Sequence, residues 1–264
     1  MSTCPLCGSH AARNLYTSLV QCRDCGLVRT QHRVPSADPE SLYEQAYFTE
    51  RNAYLSNSAA FNAMFETLLD TVQQHKPSGR LLDVGCGPGL LLNAAKRRGY
   101  VVSGCDISVW ATQYAREARL DVATGALESV RYAHAQFDVV IINHTLEHTP
   151  QPLEMLCEAR RILADDGILV VGVPNFDSLM AHIMRTRWAG LLPDQHLWHF
   201  TPRTLRLILQ RAGFVMRTLI VQPATHHHRN WMKRFVLRII TTVGNLAQRG
   251  ESLLAVAAKP DHAT

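Results

Sequence analysis

Arg80-Leu81-Leu82-Asp83-Val84-Gly85-Cys86-Gly87-Pro88-Gly89 packs a short strand and a glycine turn into ten residues of this 264-residue chain. Leu81 to Val84 is an apolar run that carries Asp83 near its end. It breaks into Gly85, Gly87 and Gly89 at alternate positions, and Leu90–Ala95 then resumes with helical length. Strand, glycine turn and helix form the opening βα unit of a doubly wound sheet, and its turn is where such sheets bind nucleotides. Glycines there let the backbone approach a ligand closely and take φ values that a Cβ would forbid. The next apolar run, Tyr100 to Cys105, ends at Asp106, 17 residues after Gly89. A carboxylate at the end of a second strand is placed to accept hydrogen bonds from a ribose diol. A dinucleotide turn spaces its glycines G-x-G-x-x-G, with the pyrophosphate on the helix N-terminus. Here the spacing is Asp83-x-Gly85-x-Gly87-x-Gly89. The acid just before the turn would repel a pyrophosphate and suits a ligand carrying an ammonium and a sulfonium.

Leu82–Gly89 together with Asp106 resembles the cofactor site of the class I S-adenosylmethionine-dependent methyltransferases. The resemblance covers Arg80 to Asn175 and, more loosely, runs on to Phe214; it includes Leu146-Glu147-His148-Thr149-Pro150, Gly167 and Pro174-Asn175. It implies an α/β fold with a doubly wound, seven-stranded, Rossmann-like sheet and S-adenosyl-L-methionine as cofactor. It further implies cofactor contacts from Asp83, Gly85, Gly87, Gly89, Asp106 and Ile107, from Ala126 and Leu127 along the adenine edge, and from Asn143. Alternating elements fit this expectation. A helix is expected over Ser108–Arg119 with Ser108 as N-cap, a weak third strand over Asp121–Thr124 and a fourth over Phe137–Ile142. Gln151–Ala164 reads as a helix, Asp165-Asp166-Gly167 as a turn and Ile168–Val173 as the fifth strand. Arg203–Ala212 is a helix stopped by Gly213, Phe214–Val221 a sixth strand, and Ser252–Ala258 the last strand, inserted antiparallel as in the class. Ser41 to Lys76 looks helical, with Tyr43, Tyr47, Phe48 and Tyr54 at its start. In the class such a segment folds over the cofactor.

Cys4-Pro5-Leu6-Cys7-Gly8 and Cys22-Arg23-Asp24-Cys25-Gly26 are two C-x-x-C-G turns, with 14 residues between Cys7 and Cys22. Each points two thiolates at one centre, and two such knuckles complete a tetrahedral Cys4 site that suits structural zinc. Leu15–Thr17 and Leu19–Gln21 fit short strands of a zinc ribbon. The expected division is therefore a ribbon over residues 1–33 and a methyltransferase domain over 34–264, with cover helices at 41–76, a core at 80–175 and substrate-side elements at 176–264. A hydrophobic content of 47% with 19% charged residues is ordinary for a soluble globular protein. A net charge of +5 is too weak alone to imply nucleic acid. No apolar run reaches spanning length, and the start of the chain lacks a signal-peptide layout, so a cytoplasmic location is expected. In that compartment cysteines are thiols or metal ligands rather than disulfides.

Ligands gather outside the carboxyl ends of the strands, which puts His144, Glu147 and His148 near the reaction centre. Methyl transfer needs positioning, plus removal of a proton when the acceptor is a hydroxyl, and histidine has the pKa of a base near neutrality. The expected catalytic set is His148, His144, Glu147 and His199, the last in the His-rich turn Pro193–Pro202. His144-x-x-Glu147-His148 also resembles the Glu-x-x-Glu-His metal motif of ubiquinone-pathway O-methyltransferases and small-RNA 2′-O-methyltransferases, with His144 in place of the first Glu. His196 or His199 would complete such a set. The alternative is that Glu147 and His148 cap a helix and shape the pocket, and this is preferred because four well-placed ligands are needed. Asn-Pro-Pro-Tyr is missing after the fourth strand, which favours an oxygen or carbon acceptor over a base amine. The favoured function is methylation of a small molecule such as a sugar, lipid-linked or secondary-metabolite acceptor. The alternative is an rRNA or tRNA methyltransferase whose ribbon, with Arg13, Arg23, Arg29 and Arg33, binds RNA. Asn230 to Gln248 reads as an amphipathic helix, a cover or homodimer element in preference to a membrane-surface contact.

Overall fold

The computed structural model describes residues 3–16, 18–31, 43–51, 54–55, 57–223 and 240–260. Strands are β1 (Ala12–Tyr16), β2 (Leu19–Cys22), β3 (Val28–Thr30), β4 (Arg80–Val84), β5 (Val101–Asp106), β6 (Asp121–Thr124), β7 (Phe137–Asn143), β8 (Leu163–Pro174), β9 (Trp198–His199), β10 (Val215–Gln222) and β11 (Ser252–Ala258). Helices are α1 (Ser58–His75), α2 (Leu90–Arg97), α3 (Val109–Glu117), α4 (Leu127–Val130), α5 (Pro152–Ile162), α6 (Leu179–Met184) and α7 (Pro202–Arg211), followed by a short helical stretch at 240–246. One sheet has seven strands in the order β10-β11-β8-β7-β4-β5-β6, and a second has four in the order β1-β2-β3-β9. This is the expected α/β, Rossmann-like sheet, with β11 between β10 and β8. No described helix is long and apolar enough to cross a membrane.

The chain divides into two compact units: residues 35–143, 154–170 and 258–264, and residues 1–34, 144–153 and 171–257. In the first, β4 runs parallel to β5 and β7, with Asp83 opposite Gly104 on one side and Ile141 on the other. Strands buried on both faces need continuous apolar runs, and Leu81, Leu82 and Val139 to Ile142 are wholly buried. Gly104 is required there, because a Cβ would stand 2.8 Å from Cys86 Sγ and 2.8 Å from Leu92 Cδ1. Ser108 caps α3 as expected, its side chain accepting from Ala111 N. In the second unit β1, β2, β3 and β9 pair antiparallel throughout. Leu19 and Val28 of this small sheet are buried in one cluster with Met180, Ala181, Trp188 and Leu191.

Three expectations are corrected, and one lies mostly outside the described residues. Helix does not run from Ser41 to Lys76: the α-helix starts at Ser58, after a π-turn over Tyr47–Arg51. Aromatic packing overrides helical continuity here, as Phe48 stacks on Trp110 at 5.6 Å and Tyr54 meets Phe61 at 4.5 Å. Asp165-Asp166-Gly167 is not a turn but part of the twelve-residue strand β8. The two acids stay extended because Lys259 pairs with Asp165 at 2.9 Å and Lys76 with Asp166 at 2.6 Å. The ribbon region has one strand, at 28–30, beyond the two short ones expected, and the first of those runs over 12–16 rather than 15–17. Its fourth strand comes from Trp198–His199, which no periodicity announces. Most of the expected helix 230–248, with His226 to His228, lies outside the described residues.

Gly89 lies at φ +84°, and a Cβ there would fall 2.3 Å from Leu120 Cδ1. Left-handed backbone alone costs an L-residue about 1–2 kcal/mol. Gly89→Ala is therefore expected to lose at least that much stability in urea unfolding; an unchanged midpoint would contradict the turn geometry.

Candidate active site and metal centre

The glycine turn is bound to the end of the second parallel strand through one carboxylate. Asp106 Oδ2 accepts from Gly87 N at 2.8 Å, and Oδ1 accepts from Ser108 N at 2.8 Å. Gly85 N and Cys86 N both donate to Cys105 O, at 2.8 and 3.1 Å. Gly85, Gly87 and Gly89 all have positive φ, which is why the turn takes glycine at these positions. Asp83 and Asp106 are buried. Burial, and then the neighbouring Asp106 charge, hold the Asp83 carboxyl well above its usual range. Burial also raises Asp106, opposed by its two backbone donors. Phe48 lies against Gly87, where a Cβ would stand 3.2 Å from its Cε1. The hydroxyl of Tyr54 is pushed up by burial and then by the charge of Asp83. Ser108 Oγ donates to Tyr43 O at 2.6 Å. Ala126 precedes α4 as its N-cap, Leu127 is buried, Ile107 follows Asp106, and Asn143 ends β7.

In the other unit the chain turns sharply after β7. His144 takes a left-handed φ of 54°, and its N donates to Gly172 O at 2.8 Å. Glu147 is fully buried; Oε1 lies 3.3 Å from His144 Nδ1 and 3.9 Å from His148 Nε2. Its Oε2 is buried with no hydrogen-bond partner among the described residues. Burial works to raise the Glu147 carboxyl, but the His144 hydrogen bond and the nearby imidazoles outweigh it and hold the group down at about 2. His148 Nδ1 lies 3.2 Å from Gln195 O, and His196 Nδ1 lies 2.9 Å from Gly190 O. A carbonyl only accepts, so both rings carry their proton on Nδ1 and leave Nε2 with its lone pair. Burial lowers His148, His196 to about 4 and His199 to about 3. The cluster is a carboxylate among neutral imidazoles. Ligand atoms of Glu147, His148 and His196 lie within 4.8 Å of one another.

The four N-terminal cysteines converge. Cys4 Sγ is 3.5 Å from Cys25 Sγ, Cys7 Sγ is 3.5 Å from Cys22 Sγ, and all four lie within 4.8 Å. Both knuckles turn alike, Gly8 N donating to Cys4 O and Gly26 N to Cys22 O, with φ of 76° and 85° at the glycines. Tetrahedral zinc–thiolate bonds of about 2.3 Å would space the sulfurs by about 3.8 Å. The donor set and its spacing fit that ion.

Residues 56–219 match the methyltransferase-domain family. The chain belongs to the class I S-adenosylmethionine-dependent methyltransferases. It is 31% identical over 181 residues to a ubiquinone biosynthesis O-methyltransferase of Alkalilimnicola ehrlichii, a match covering 64% of this chain and 72% of that one. It is 30% identical over 159 residues to the protein of the same description from Psychrobacter arcticus, covering 53% of this chain but only 61% of that relative's length. A solved S-adenosylmethionine-dependent methyltransferase from Archaeoglobus fulgidus shares the fold, with a TM-score of 0.57 at 23% identity over 75% of this chain and 93% of that one.

In this methyltransferase the expected residues His144, Glu147 and His148 stand together, and His199 lies in the same unit with its ring centroid 6.4 Å from that of His196. His196 is more deeply involved than the sequence suggested, because its ring meets His148 edge-on at 4.7 Å. In the sequence it was expected only as one of two rings, with His199, that could complete a metal set with His144, Glu147 and His148. Thr30 was not singled out by any motif.

Buried neutral imidazoles make a pH signature. His196 and His199 have folded values near 4 and 3 against an ordinary 6.5, so below 6.5 the unfolded chain binds protons that the folded chain refuses. Their stabilisation is complete above pH 6.5 and is lost as pH falls toward 4 and then 3. Urea midpoints are expected to drop steadily from pH 7 to 5, and less steeply in His196→Gln. A midpoint flat across that range would refute the burial of neutral rings.

Proposed function

We propose that the chain transfers the methyl group of S-adenosylmethionine to a hydroxyl or carbon of a small molecule. The carrying observation is the Asp106 carboxylate bonded to both Gly87 N and Ser108 N, which supports it as the acceptor for ribose hydroxyls beside the glycine turn. S-adenosylmethionine, when bound, supplies a methyl group on a sulfonium. Asp83 favours such a cation, because a nearby positive charge would bring its raised carboxyl down into the ionised form. Gly85, Gly87 and Gly89 would admit the ligand to the backbone, with Ile107, Ala126, Leu127 and Asn143 as further contacts.

On the acceptor side, His148 acts as general base through Nε2, the nitrogen left unprotonated by the Nδ1 bond to Gln195 O. The imidazolium so formed faces Glu147 Oε1 at 3.9 Å, which stabilises its charge. His144 holds the same carboxylate oxygen, and His199 places the acceptor. The ubiquinone-pathway description of the relatives supports an oxygen acceptor. The RNA reading is weaker, since the ribbon sheet spends one edge on β9. Calorimetry is expected to show S-adenosylhomocysteine binding, weakened about tenfold to a hundredfold by Asp106→Ala. Release of S-adenosylhomocysteine with a panel of phenols, catechols and sugar nucleotides identifies the acceptor. His148→Ala should then cut turnover by about a hundredfold or more while leaving cofactor affinity unchanged. Full turnover in that variant would remove His148 from the mechanism.

One observation favours a second reading of the same cluster. A buried carboxylate oxygen without a donor is costly, and Glu147 Oε2 would be satisfied by a divalent ion held with His148 and His196 Nε2. Imidazole-rich sets favour zinc-like ions over magnesium, and such an ion would hold an acceptor oxygen and lower its pKa.

Zinc at Cys4, Cys7, Cys22 and Cys25 is the structural metal of the proposal. Metal analysis is expected to give one zinc per chain, lost in the Cys4→Ser, Cys7→Ser double variant. A second equivalent, lost in His196→Ala, would establish the ion at Glu147. Zinc-free native protein would overturn the ribbon assignment.

A further inference from the structure

We infer that Thr30 is a positioning residue for the imidazole cluster: it holds His199 as the Nε2–H tautomer and pins the main chain at His196. Thr30 ends β3, the ribbon strand that pairs with β9 through Val28 opposite His199 and Arg29 opposite Trp198. Its N donates to Leu197 O at 3.0 Å, continuing that pairing by one residue. Its hydroxyl donates to His196 O at 2.7 Å and lies 3.2 Å from His199 Nε2.

A threonine hydroxyl has one hydrogen to give and two lone pairs. The carbonyl of His196 can only accept, so that hydrogen is committed to it. Toward His199 the oxygen must therefore accept, and His199 Nε2 must carry the proton. With the ring neutral, the lone pair sits on Nδ1. This is the opposite tautomer to His148 and His196, whose Nδ1 atoms face carbonyls. One side chain from the ribbon thus sets both the protonation pattern of His199 and the backbone that carries His196. Which nitrogen is protonated decides whether a ring offers a donor or an acceptor at a given place, so the choice bears directly on acceptor placement.

The functional meaning rests on the acceptor-side role of the cluster, and failure of that role shows separately, as full turnover in His148→Ala. The tautomer itself is read without any acceptor. Long-range proton–nitrogen correlation spectra of the ¹⁵N-labelled full chain, as purified, distinguish protonated from unprotonated ring nitrogens. The His199 signals are assigned by their loss in His199→Gln. The expected spectrum has Nε2 protonated in His199 and Nδ1 protonated in His148 and His196. Thr30→Val, which keeps the shape and removes the hydroxyl, should convert His199 to a mixture or to Nδ1–H. Thr30→Ser should restore the native pattern. S-adenosylhomocysteine affinity should be the same in all three, since Asp106 and the glycine turn are unaltered. With an acceptor from the panel, Thr30→Val should raise KM about tenfold, the size of one lost hydrogen bond, and Thr30→Ser should recover it. His199 found as Nδ1–H in the native chain would overturn the inference, and so would a pure Nε2–H ring in Thr30→Val. If Thr30→Val does not fold, the native spectrum and Thr30→Ser still decide it.

Discussion

The carboxylate of Asp106 is the constraint on which the nucleotide-side unit depends. A turn of alternating glycines has little conformational preference of its own, and each glycine costs backbone entropy on folding. Two hydrogen bonds offset that cost, by tying both Gly87 of the turn and Ser108, the N-cap of α3, to Asp106 at the end of β5. Asp106 therefore fixes the turn and the N-cap of the next helix together. Gly104 works to the same end, since any side chain there would strike Cys86 and Leu92 and push the turn off the strand. Phe48 and Trp110 then close over this turn as a stacked pair. The aromatic segment before α1 is thus shaped by tertiary contact and not by helix propensity.

Glu147 plays the corresponding part in the other unit, but through both its backbone and its side chain. Its carbonyl accepts from Leu197 N and Trp198 N, at 2.8 and 3.2 Å, so the His-rich turn is hung on this residue. Its side chain brings a charge into the same buried space. An ionised carboxylate inside a protein is stabilised only by donors or cations close by, and here one oxygen has His144 while the other has no hydrogen-bond partner among the described residues. That imbalance is the kind of cost retained at functional sites rather than in structural cores. The left-handed φ of His144 belongs to the same economy of local strain, because it lets the chain leave β7 and return at once to Gly172.

How much of this was legible in the sequence follows from the range over which each feature is encoded. The glycine turn, the two parallel strands around it and the cysteine knuckles are local patterns, and their residue types follow from backbone geometry or ligand chemistry alone. Ser108 could be named as a helix cap for the same reason. The π-turn at Tyr47 and the extended Asp165-Asp166 pair were not legible, since rings and lysines distant in sequence decide them. Strand β9 has two residues, too short for any alternation to show. Thr30 was anonymous for a stronger reason. Its partners lie 166 and 169 residues away, and nothing in a lone threonine after a valine and an arginine points to them.

The ribbon poses a question of stability as well as of role. A three-residue strand against a two-residue strand buries little and, as an isolated hairpin, would be marginal in water. Two things support it here. Leu19 and Val28 are buried with Met180, Ala181, Trp188 and Leu191, so the small sheet shares a core with the elements after β8. The four cysteines converge at the other end of the same sheet, and a metal bound there would supply binding energy that is folding energy in a domain of this size. Order would then pass from the thiolates through β2 and β3 to Thr30, and from Thr30 to the ring of His199. On this view the ribbon's strand edge is a structural wall for the imidazole cluster, and the exposed Arg13 and Arg23 are surface groups carried along with it. The pairing of β3 with β9 makes a ribbon that moves independently of residues 196–199 physically inconsistent, because any such motion must first break the Thr30 bonds to Leu197 and His196.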